Sequence, residues 1–389
     1  MSDRNGMSMV KMLRWMSPGI RSCLALVQRW LSSIVGVKPV LVVSDAPLSQ
    51  AERDDVIERV RFYAPWLQPG LQFATGYSLW DVISTRKILF RGVASRAARM
   101  LLRLRAQTFD IDPRTNPSEG SEWCRINFMD SSRPAPDLSL QRLASYVRQI
   151  EKQALPKVYA FGTGPSLERA LTMDWSDGYR IVCNTIVRDR ELWTHIQPHF
   201  IVAADAIYHF GFTAFARRFR ADLHDRMAES NVLFLYPEIF HGIVSREFGA
   251  FAERLIPVPQ GQHEDFHRSL LERFCLPNLG NVLNLVLLPL ACTLSRRVYL
   301  WGFDGRAPAD QLFWANSSKH SYPELMDALR TAHPSFFHHH VPAANPSSYV
   351  AAVHGDTLDQ GLSVAEASGW TFVMMHKSWT ATLQKRFAE

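Results

Sequence analysis

The amino-acid sequence predicts an α/β fold, namely a mostly parallel, Rossmann-like sheet with helices on both faces, preceded by a basic, mainly helical N-terminal region. From residue 157 onward, short apolar runs alternate with helical patterns, which is typical of parallel strands joined by helices. The first of these runs is followed by two glycines and a proline that lead into a helix. Hydrophobic residues make up 47% of the 389 and charged residues 21%, so the chain can bury a globular core.

Seven apolar runs predict the strands of this sheet. They lie at 158–161, 180–183, 200–204, 232–236, 254–258, 298–301 and 371–375. Helical patterns occupy 138–153, 280–294 and 358–368. Because ligands of such sheets bind at the carboxyl ends of the strands, the residues that directly follow each run are the first candidates for a functional site.

The region before residue 150 has weaker patterns. An apolar run at 40–43 predicts a strand, 50–63 predicts a helix, and 79–105 predicts a helix with a break at Gly92. Residues 106–138 are rich in Pro, Ser, Asp and Asn and predict a linker or irregular loop. These patterns divide the chain into a basic amphipathic segment at 1–37, an N-terminal α/β or helical region with a linker at 38–150, and a nucleotide-binding catalytic domain at 151–389.

The net charge of +6 comes from the N-terminal part of the chain. Residues 86–105 carry seven basic side chains and no acid, and a helix there would place Arg96, Arg99 and Arg103 on one face. Such a face is usually just solvated, and the alternative is a site for a phosphate-bearing lipid or glycan. Phe90 is the one aromatic residue in this stretch and no known nucleic-acid-binding motif is present, so we do not expect a nucleic-acid partner.

The first 37 residues contain an amphipathic, basic pattern. Apolar residues from Ile20 to Val35 fall at helical spacing, with arginines between them. This helix either packs on its own domain or lies on an anionic membrane surface. No run of 18 apolar residues predicts a membrane span, and five widely spaced cysteines fit a reducing compartment. We therefore expect a cytoplasmic protein. It is either fully soluble or in peripheral contact with the inner face of the cytoplasmic membrane through residues 1–37 and 86–105.

The turn after the first strand is the strongest candidate for a ligand site. Gly162-Thr163-Gly164-Pro165-Ser166 joins a strand to a helix, where glycines let the backbone approach a ligand and free N–H groups can face an anion. Asn184 and Thr185 follow the second strand and Asp205 follows the third. The pattern predicts a nucleotide site, and the alternatives are an ordinary tight turn and, for Asp205, a helix N-cap.

The order of these motifs resembles the bacterial lipooligosaccharide sialyltransferases. It is equally similar to the wider superfamily that contains motility-accessory-factor glycosyltransferases and an archaeal hydroxymethylpterin pyrophosphokinase. The resemblance covers roughly residues 157–380. The motifs that carry it are the strand with Gly-x-Gly-Pro-Ser-Leu at 162–167, Cys183-Asn184, the small-residue turn Leu279-Gly280-Asn281 before an apolar helix, and Val-Tyr-Leu-Trp-Gly-Phe-Asp at 298–304.

This resemblance implies an inverting glycosyltransferase that uses a CMP-linked acidic sugar to build a cell-surface glycan, with a glycan or lipid-linked acceptor and no required metal or other cofactor. Gly280 and Asn281 would hold the cytidine side of the nucleotide. His354 matches the general base that takes the proton of the acceptor hydroxyl. Arg306 stands where the family has tyrosines that assist the leaving phosphate, which puts the donor sugar in doubt.

Further residues stay open at this point. His320, Tyr322, His333 and Tyr349 lie in a segment that resembles an active-site lid and could bind the acceptor, and His320 or His333 could replace His354 as the base. Asp110-Ile111-Asp112 could hold a metal on a nucleotide diphosphate but follows no convincing strand. The first alternative function is a metal-dependent pyrophosphokinase that acts on a pterin-like molecule, with Asp205 and Asp304 as metal ligands. The second is a non-catalytic partner in glycan assembly.

Overall fold

The computed structural model describes residues 38–76, 85–92, 107–265, 268–305, 307, 319–340 and 355–388. The chain forms two compact units, Met1–Asp112 and Pro113–Glu389. The predicted helix at 20–35, the predicted helical face of Arg96, Arg99 and Arg103, and the candidate site residues Arg306, Tyr349 and His354 lie outside the described residues.

The first unit is a four-stranded, all-parallel sheet with the strand order β2-β1-β3-β4. Its strands are β1 (Lys38–Ser44), β2 (Leu71–Thr75), β3 (Thr85–Arg91) and β4 (Gln107–Asp110). Helix α1 (Gln50–Tyr63) joins β1 to a 3-10 helix at Pro65–Gly70. A capping box starts α1, because Ser49 accepts a hydrogen bond from the Glu52 amide while the Glu52 carboxylate accepts one from the Ser49 amide.

Two sequence predictions for the region before residue 150 are wrong. Residues 85–91 form a strand and not a helix, and 106–138 is not a linker, since it contains β4 and a helix. Basic residues obscured the strand pattern of β3, because Lys87 and Arg91 are buried there although their charge suggests an exposed face. The Arg91 guanidinium lies 2.6 Å from the Asp55 carboxylate of α1, and the Lys87 ammonium lies 5.7 Å from the centre of the Phe109 ring. The described part of the first unit is therefore α/β and not mainly helical.

The second unit confirms the predicted fold class. Its seven strands are all parallel, in the order β11-β10-β5-β6-β7-β8-β9. The strands are β5 (Val158–Phe161), β6 (Tyr179–Cys183), β7 (Phe200–Val202), β8 (Leu233–Pro237), β9 (Leu255–Val258), β10 (Arg297–Trp301) and β11 (Thr371–Met374). All seven coincide with the predicted runs to within two residues at each end.

Helices flank both faces of this sheet. They are α2 (Glu119–Asp130), α3 (Pro136–Glu151), α4 (Arg190–Ile196), α5 (Ala214–Glu229), α6 (His241–Glu247), α7 (Leu288–Leu294), α8 (Met326–Ala332), α9 (Pro334–His340), α10 (Gly355–Ala367) and α11 (Ala381–Gln384). Helices α3, α7 and α10 share one apolar core with the strands. On the other face, Trp175 packs edge-on against Tyr159, Phe161 and Trp301.

Helices α2 and α3 belong to the second unit, so the chain divides at Asp112 and not at the predicted position of 150. The reason lies in α3, whose Leu143, Val147 and Ile150 are buried in the same core as the strands of the large sheet. Among the described residues, no helix has both the length and the apolar character needed to cross a membrane.

The strand order reverses between β5 and β10, and this reversal positions the candidate site. The chain runs from β5 outward through β6 to β9, then returns to pair β10 with the other edge of β5. From this point the loop that leaves β5 leads toward β6 on one side, and the loop that leaves β10 leads toward β11 on the other. In open α/β sheets this point, at the carboxyl ends of the strands, is where ligands bind.

Candidate functional site

The glycine turn after β5 packs tightly against the turn after β10. The Gly162 amide donates to the Trp301 carbonyl (2.7 Å), and the Gly164 amide donates to the Gly302 carbonyl (2.8 Å). A Cβ on Gly162 would lie 2.5 Å from the Gly302 carbonyl oxygen and 2.8 Å from the Phe303 ring. The glycines therefore allow two backbone segments to approach closely at the switch point, whether or not they also contact a ligand.

The first N–H groups of the 3-10 helix at Pro165–Thr172 already face an anion. Both carboxylate oxygens of Asp304 accept a hydrogen bond from the Ser166 amide, at 3.1 and 3.2 Å, and Oδ2 also accepts from the Ser166 hydroxyl at 2.8 Å. The sequence predicts a phosphate in this position. In the structure the internal carboxylate of Asp304 occupies it, so a phosphate that bound there would have to displace Asp304.

His376 completes this cluster and was not among the predicted site residues. Its Nδ1 donates to the Lys377 carbonyl (2.8 Å), and its Nε2 accepts from the Gly302 amide (2.9 Å), which defines a neutral imidazole. The Ser166 Oγ lies 2.7 Å from Nε2. Burial lowers the pKa of His376. His376 follows β11 closely, so the rule that singled out Asn184 and Asp205 could have found it.

Asn184 and Thr185, as predicted, stand at the carboxyl end of β6 next to the glycine turn. Asn184 adopts a left-handed backbone conformation (φ +51°), and its side-chain oxygen is buried without a hydrogen-bond partner. The Thr185 hydroxyl donates to the His320 carbonyl oxygen. The imidazole of His320 is 1% exposed, and neither of its nitrogens has a hydrogen-bond partner. His320 therefore lies beside the candidate nucleotide residues.

Asp205 turns its carboxylate toward its own backbone. Its Oδ1 accepts from the amides of Ile207 (3.0 Å) and Tyr208 (3.1 Å) just after β7. Burial raises the pKa of Asp205, and the two backbone hydrogen bonds oppose that effect. Asp205 therefore caps a non-helical turn at 206–209, which differs from the predicted helix N-cap in the element that is capped.

The predicted Gly280-Asn281 turn begins the helix that leads into β10. The Asn281 side chain accepts from the Asn284 amide (3.1 Å), and the first turn, Leu283–Leu287, is π-helical before α7 begins. The side-chain oxygen of Asn284 is buried without a partner, and the residue is 2% exposed. Since α7 runs antiparallel to β10, Asn284 lies at the carboxyl edge of the sheet. Such π-turns are frequent at functional sites.

Two of the predicted lid residues have internal partners. The Tyr322 hydroxyl donates to the Asp222 carboxylate (2.7 Å), and burial raises the pKa of Tyr322 well above its usual range. His333 is buried with Nδ1 against the Glu119 carboxylate. The structure thus gives these two side chains positions inside the second unit, whereas His320 alone of the three described lid candidates has a side chain without a hydrogen bond.

Metal-binding proposals find little geometric support among the described residues, which contain no group of three or more His, Cys, Asp or Glu side chains arranged to hold an ion. Asp205 and Asp304 follow strands that are separated by β5 and β6. Three strand spacings amount to about 14 Å, too far for both carboxylates to bind one ion. Asp110-Ile111-Asp112 does begin at the end of a strand, β4, contrary to the sequence prediction.

Comparisons with known proteins add no assignment. No family model matches the chain, and no curated protein matches it. Among solved structures, the ornithine transcarbamoylase from Giardia lamblia is similar at 10% identity, over 55% of this chain and 78% of that chain, with a TM-score of 0.16. A similarity at that score carries no argument about function.

Proposed function

We propose that this chain is a glycosyltransferase that takes a nucleotide-activated sugar, with a CMP-linked acidic sugar as donor and a glycan or lipid-linked acceptor. One observation supports this proposal above the others. Two buried amide oxygens, those of Asn184 and Asn284, have no hydrogen-bond partner at the carboxyl edge where ligands of such sheets bind.

These orphaned oxygens indicate which groups the ligand should offer. A buried acceptor left without a donor costs about 1–3 kcal/mol, and a bound ligand can recover that cost. Ribose hydroxyls and the exocyclic amino group of cytosine are donors of the right kind. Uracil offers a ring N–H in place of the amino group, and the ribose is common to both nucleotides, so the choice of cytidine over uridine rests on the resemblance and not on this pair of oxygens.

The proposed reaction needs one base and one group that stabilises the leaving phosphate. The acceptor oxygen forms a bond to the anomeric carbon, the bond from that carbon to the phosphate oxygen breaks, and the hydroxyl proton passes to an imidazole. By the resemblance to the sialyltransferases, His354 would be that imidazole and Arg306 would face the leaving phosphate. Asn184 and Asn284, at the carboxyl edge of the sheet, would bind the nucleotide.

A thermal-shift panel tests the proposal on the full chain. CMP, UDP, GDP and ATP are each added with magnesium and with EDTA. We expect the melting temperature to rise with CMP equally in both conditions, because binding stabilises the folded state. Stabilisation by ATP with magnesium only would replace the proposal with the pyrophosphokinase alternative, and no shift with any nucleotide would contradict both.

Asn284→Leu should stabilise the free protein and weaken CMP binding about 5- to 150-fold, the equivalent of about 1–3 kcal/mol. The isosteric leucine removes a buried, unpaired polar group from an apolar helix, so we expect a gain of about 1 kcal/mol in the free energy of unfolding. It also removes the proposed acceptor. Urea unfolding measures the first effect and calorimetric CMP titration the second.

Thr293→Val is the matched control for Asn284→Leu on the same helix. The Thr293 hydroxyl donates to the Pro289 carbonyl (2.7 Å) and accepts from the Leu270 amide (2.8 Å). It lies nine residues further on, about 13 Å along the axis. This variant should lose stability and keep CMP affinity. If Asn284→Leu bound CMP as the wild type does, Asn284 would have no part in the nucleotide site.

A further inference from the structure

Trp379 is the most exposed large hydrophobic side chain of the described residues, with 64% of its surface open to solvent. It follows β11 by five residues, on the same side of the switch point as β10. The ring is not part of the apolar core of the sheet, so packing in that core does not explain its position.

The backbone that carries Trp379 is held firmly against the turn after β10. The Trp379 amide donates to the Asp304 carbonyl (2.7 Å), and the Ser378 hydroxyl donates to the Phe303 carbonyl (2.7 Å). The Ser378 amide donates to the Gln384 side chain (2.8 Å). An exposed ring on a fixed backbone loses little further freedom when a ligand stacks on it, which favours binding.

One feature of the surroundings indicates what the ring would contact. The Asp304 carboxylate belongs to the turn to which the Trp379 backbone is bonded, is 20% exposed, and keeps acceptor capacity beyond its hydrogen bonds from Ser166. A flat aromatic face with a carboxylate on the adjoining turn suits a pyranose ring, whose C–H face is apolar and whose hydroxyls point outward.

The position of Trp379 separates it from Asn184, one of the two amide side chains assigned to the nucleotide. Asn184 follows β6, whereas the Trp379 amide is bonded to the turn after β10, and β5 lies between these strands. Two strand spacings amount to about 10 Å, close to the span between a nucleoside and a second sugar across a phosphate. The Trp379 side of the switch point is therefore the side left for the acceptor.

We propose that Trp379 and the Asp304 carboxylate form a carbohydrate subsite in which a pyranose ring of the acceptor stacks on the indole. The identification of that ring as part of the acceptor rests on the proposed function. The existence of a pyranose subsite does not, because it follows from the indole, the carboxylate and the fixed turn that joins them.

Saturation-transfer NMR on the full chain tests the subsite with methyl glucopyranoside, methyl galactopyranoside and methyl mannopyranoside as probes. At least one should receive saturation on its ring C–H protons from the wild type. We expect Trp379→Ala to reduce that signal about five- to tenfold, the size of one aromatic contact, and Trp379→Phe to retain part of it. Trp66→Ala is the matched control, since Trp66 is also exposed (45%) but lies in the other unit.

The results separate the subsite from the proposed function. No saturation of any pyranoside by the wild type, or an unchanged signal in Trp379→Ala, would overturn the subsite. A loss of CMP affinity in Trp379→Ala with intact pyranoside signals would overturn it as well and assign the indole to the nucleobase. Trp379-dependent pyranoside binding without any nucleotide binding would leave the subsite standing and remove the glycosyltransferase proposal. Melting temperatures of the variants within about 2 °C of the wild type show that each is folded.

Discussion

Gly302→Ala is expected to lower the free energy of unfolding of the second unit by about 2–5 kcal/mol. Two costs add up. The backbone of Gly302 is left-handed (φ +80°), which costs an alanine about 1–2 kcal/mol. The new Cβ would also lie within 2.8 Å of the Gly162 carbonyl carbon, a backbone atom of the facing turn, and such overpacking costs about 1–3 kcal/mol. Urea unfolding followed by tryptophan fluorescence measures the sum.

Gly369→Ala separates the two costs of the Gly302 substitution. Gly369 also has a positive φ (+93°), but a Cβ there would meet only the flexible end of Arg296, at 3.3 Å. It should lose only the conformational part, about 1–2 kcal/mol. Equal losses in the two variants would mean that the turns after β5 and β10 are not in tight contact, and the description of the switch point would be wrong.

Acid should destabilise the protein already at a pH above the ordinary pKa values of carboxylates. Burial lowers the pKa of His209 to about 3 and that of His199 to about 4, with Arg180 adding to the effect on His199. Both rings accept a backbone hydrogen bond through Nδ1, from Asp205 (3.2 Å) and Arg180 (3.1 Å), which a protonated imidazole could not do. The unfolded chain binds these protons near pH 6.5 and the folded chain does not, so stability falls as the pH drops below 6.5.

The expected loss is about 2 kcal/mol for each of the two histidines between pH 6.5 and pH 4.5. Asparagine keeps an acceptor near the position of Nδ1 and does not titrate. In the His199→Asn/His209→Asn double variant, the urea midpoint should therefore depend less steeply on pH over that range. Measurements at pH 8, where neither histidine is protonated, give the cost of the substitutions alone. An unchanged slope would show that both rings already bind a proton in the folded state at pH 4.5.

The large sheet could be predicted from the sequence because each of its strands is a nearly uninterrupted apolar run. Strands buried on both faces have no polar positions to blur the pattern, as Val158–Phe161 shows. The small sheet was harder to predict. In β3 the buried Lys87 and Arg91 mimic the polar face of a helix, and contacts such as those with Phe109 and Asp55 explain why these charged side chains are buried. Those partners are distant in the sequence, so no local pattern reports them.

The candidate site was predicted only in part. The residues after β5 and β6 were found because strand ends are recognisable, and the same reasoning applied to β11 would have found His376. The role of Asp304 as the anion at Ser166 depends on how two turns meet across the sheet. The exposure of Trp379 and the missing partners of Asn184 and Asn284 depend on everything that packs around them. Such properties belong to the folded chain and not to any one segment.

The reversal of strand order also has a consequence for biosynthesis. Strand β10, which covers one edge of the central strand β5, follows it by about 140 residues, which take roughly 7–28 s to synthesise at about 5–20 residues per second. Strands β5 to β9 can assemble in that interval while the outer edge of β5 has no neighbour. Unpaired strand edges are templates for association with other chains. On the ribosome, the edge that will carry the switch point is thus open to such association until β10 has been synthesised.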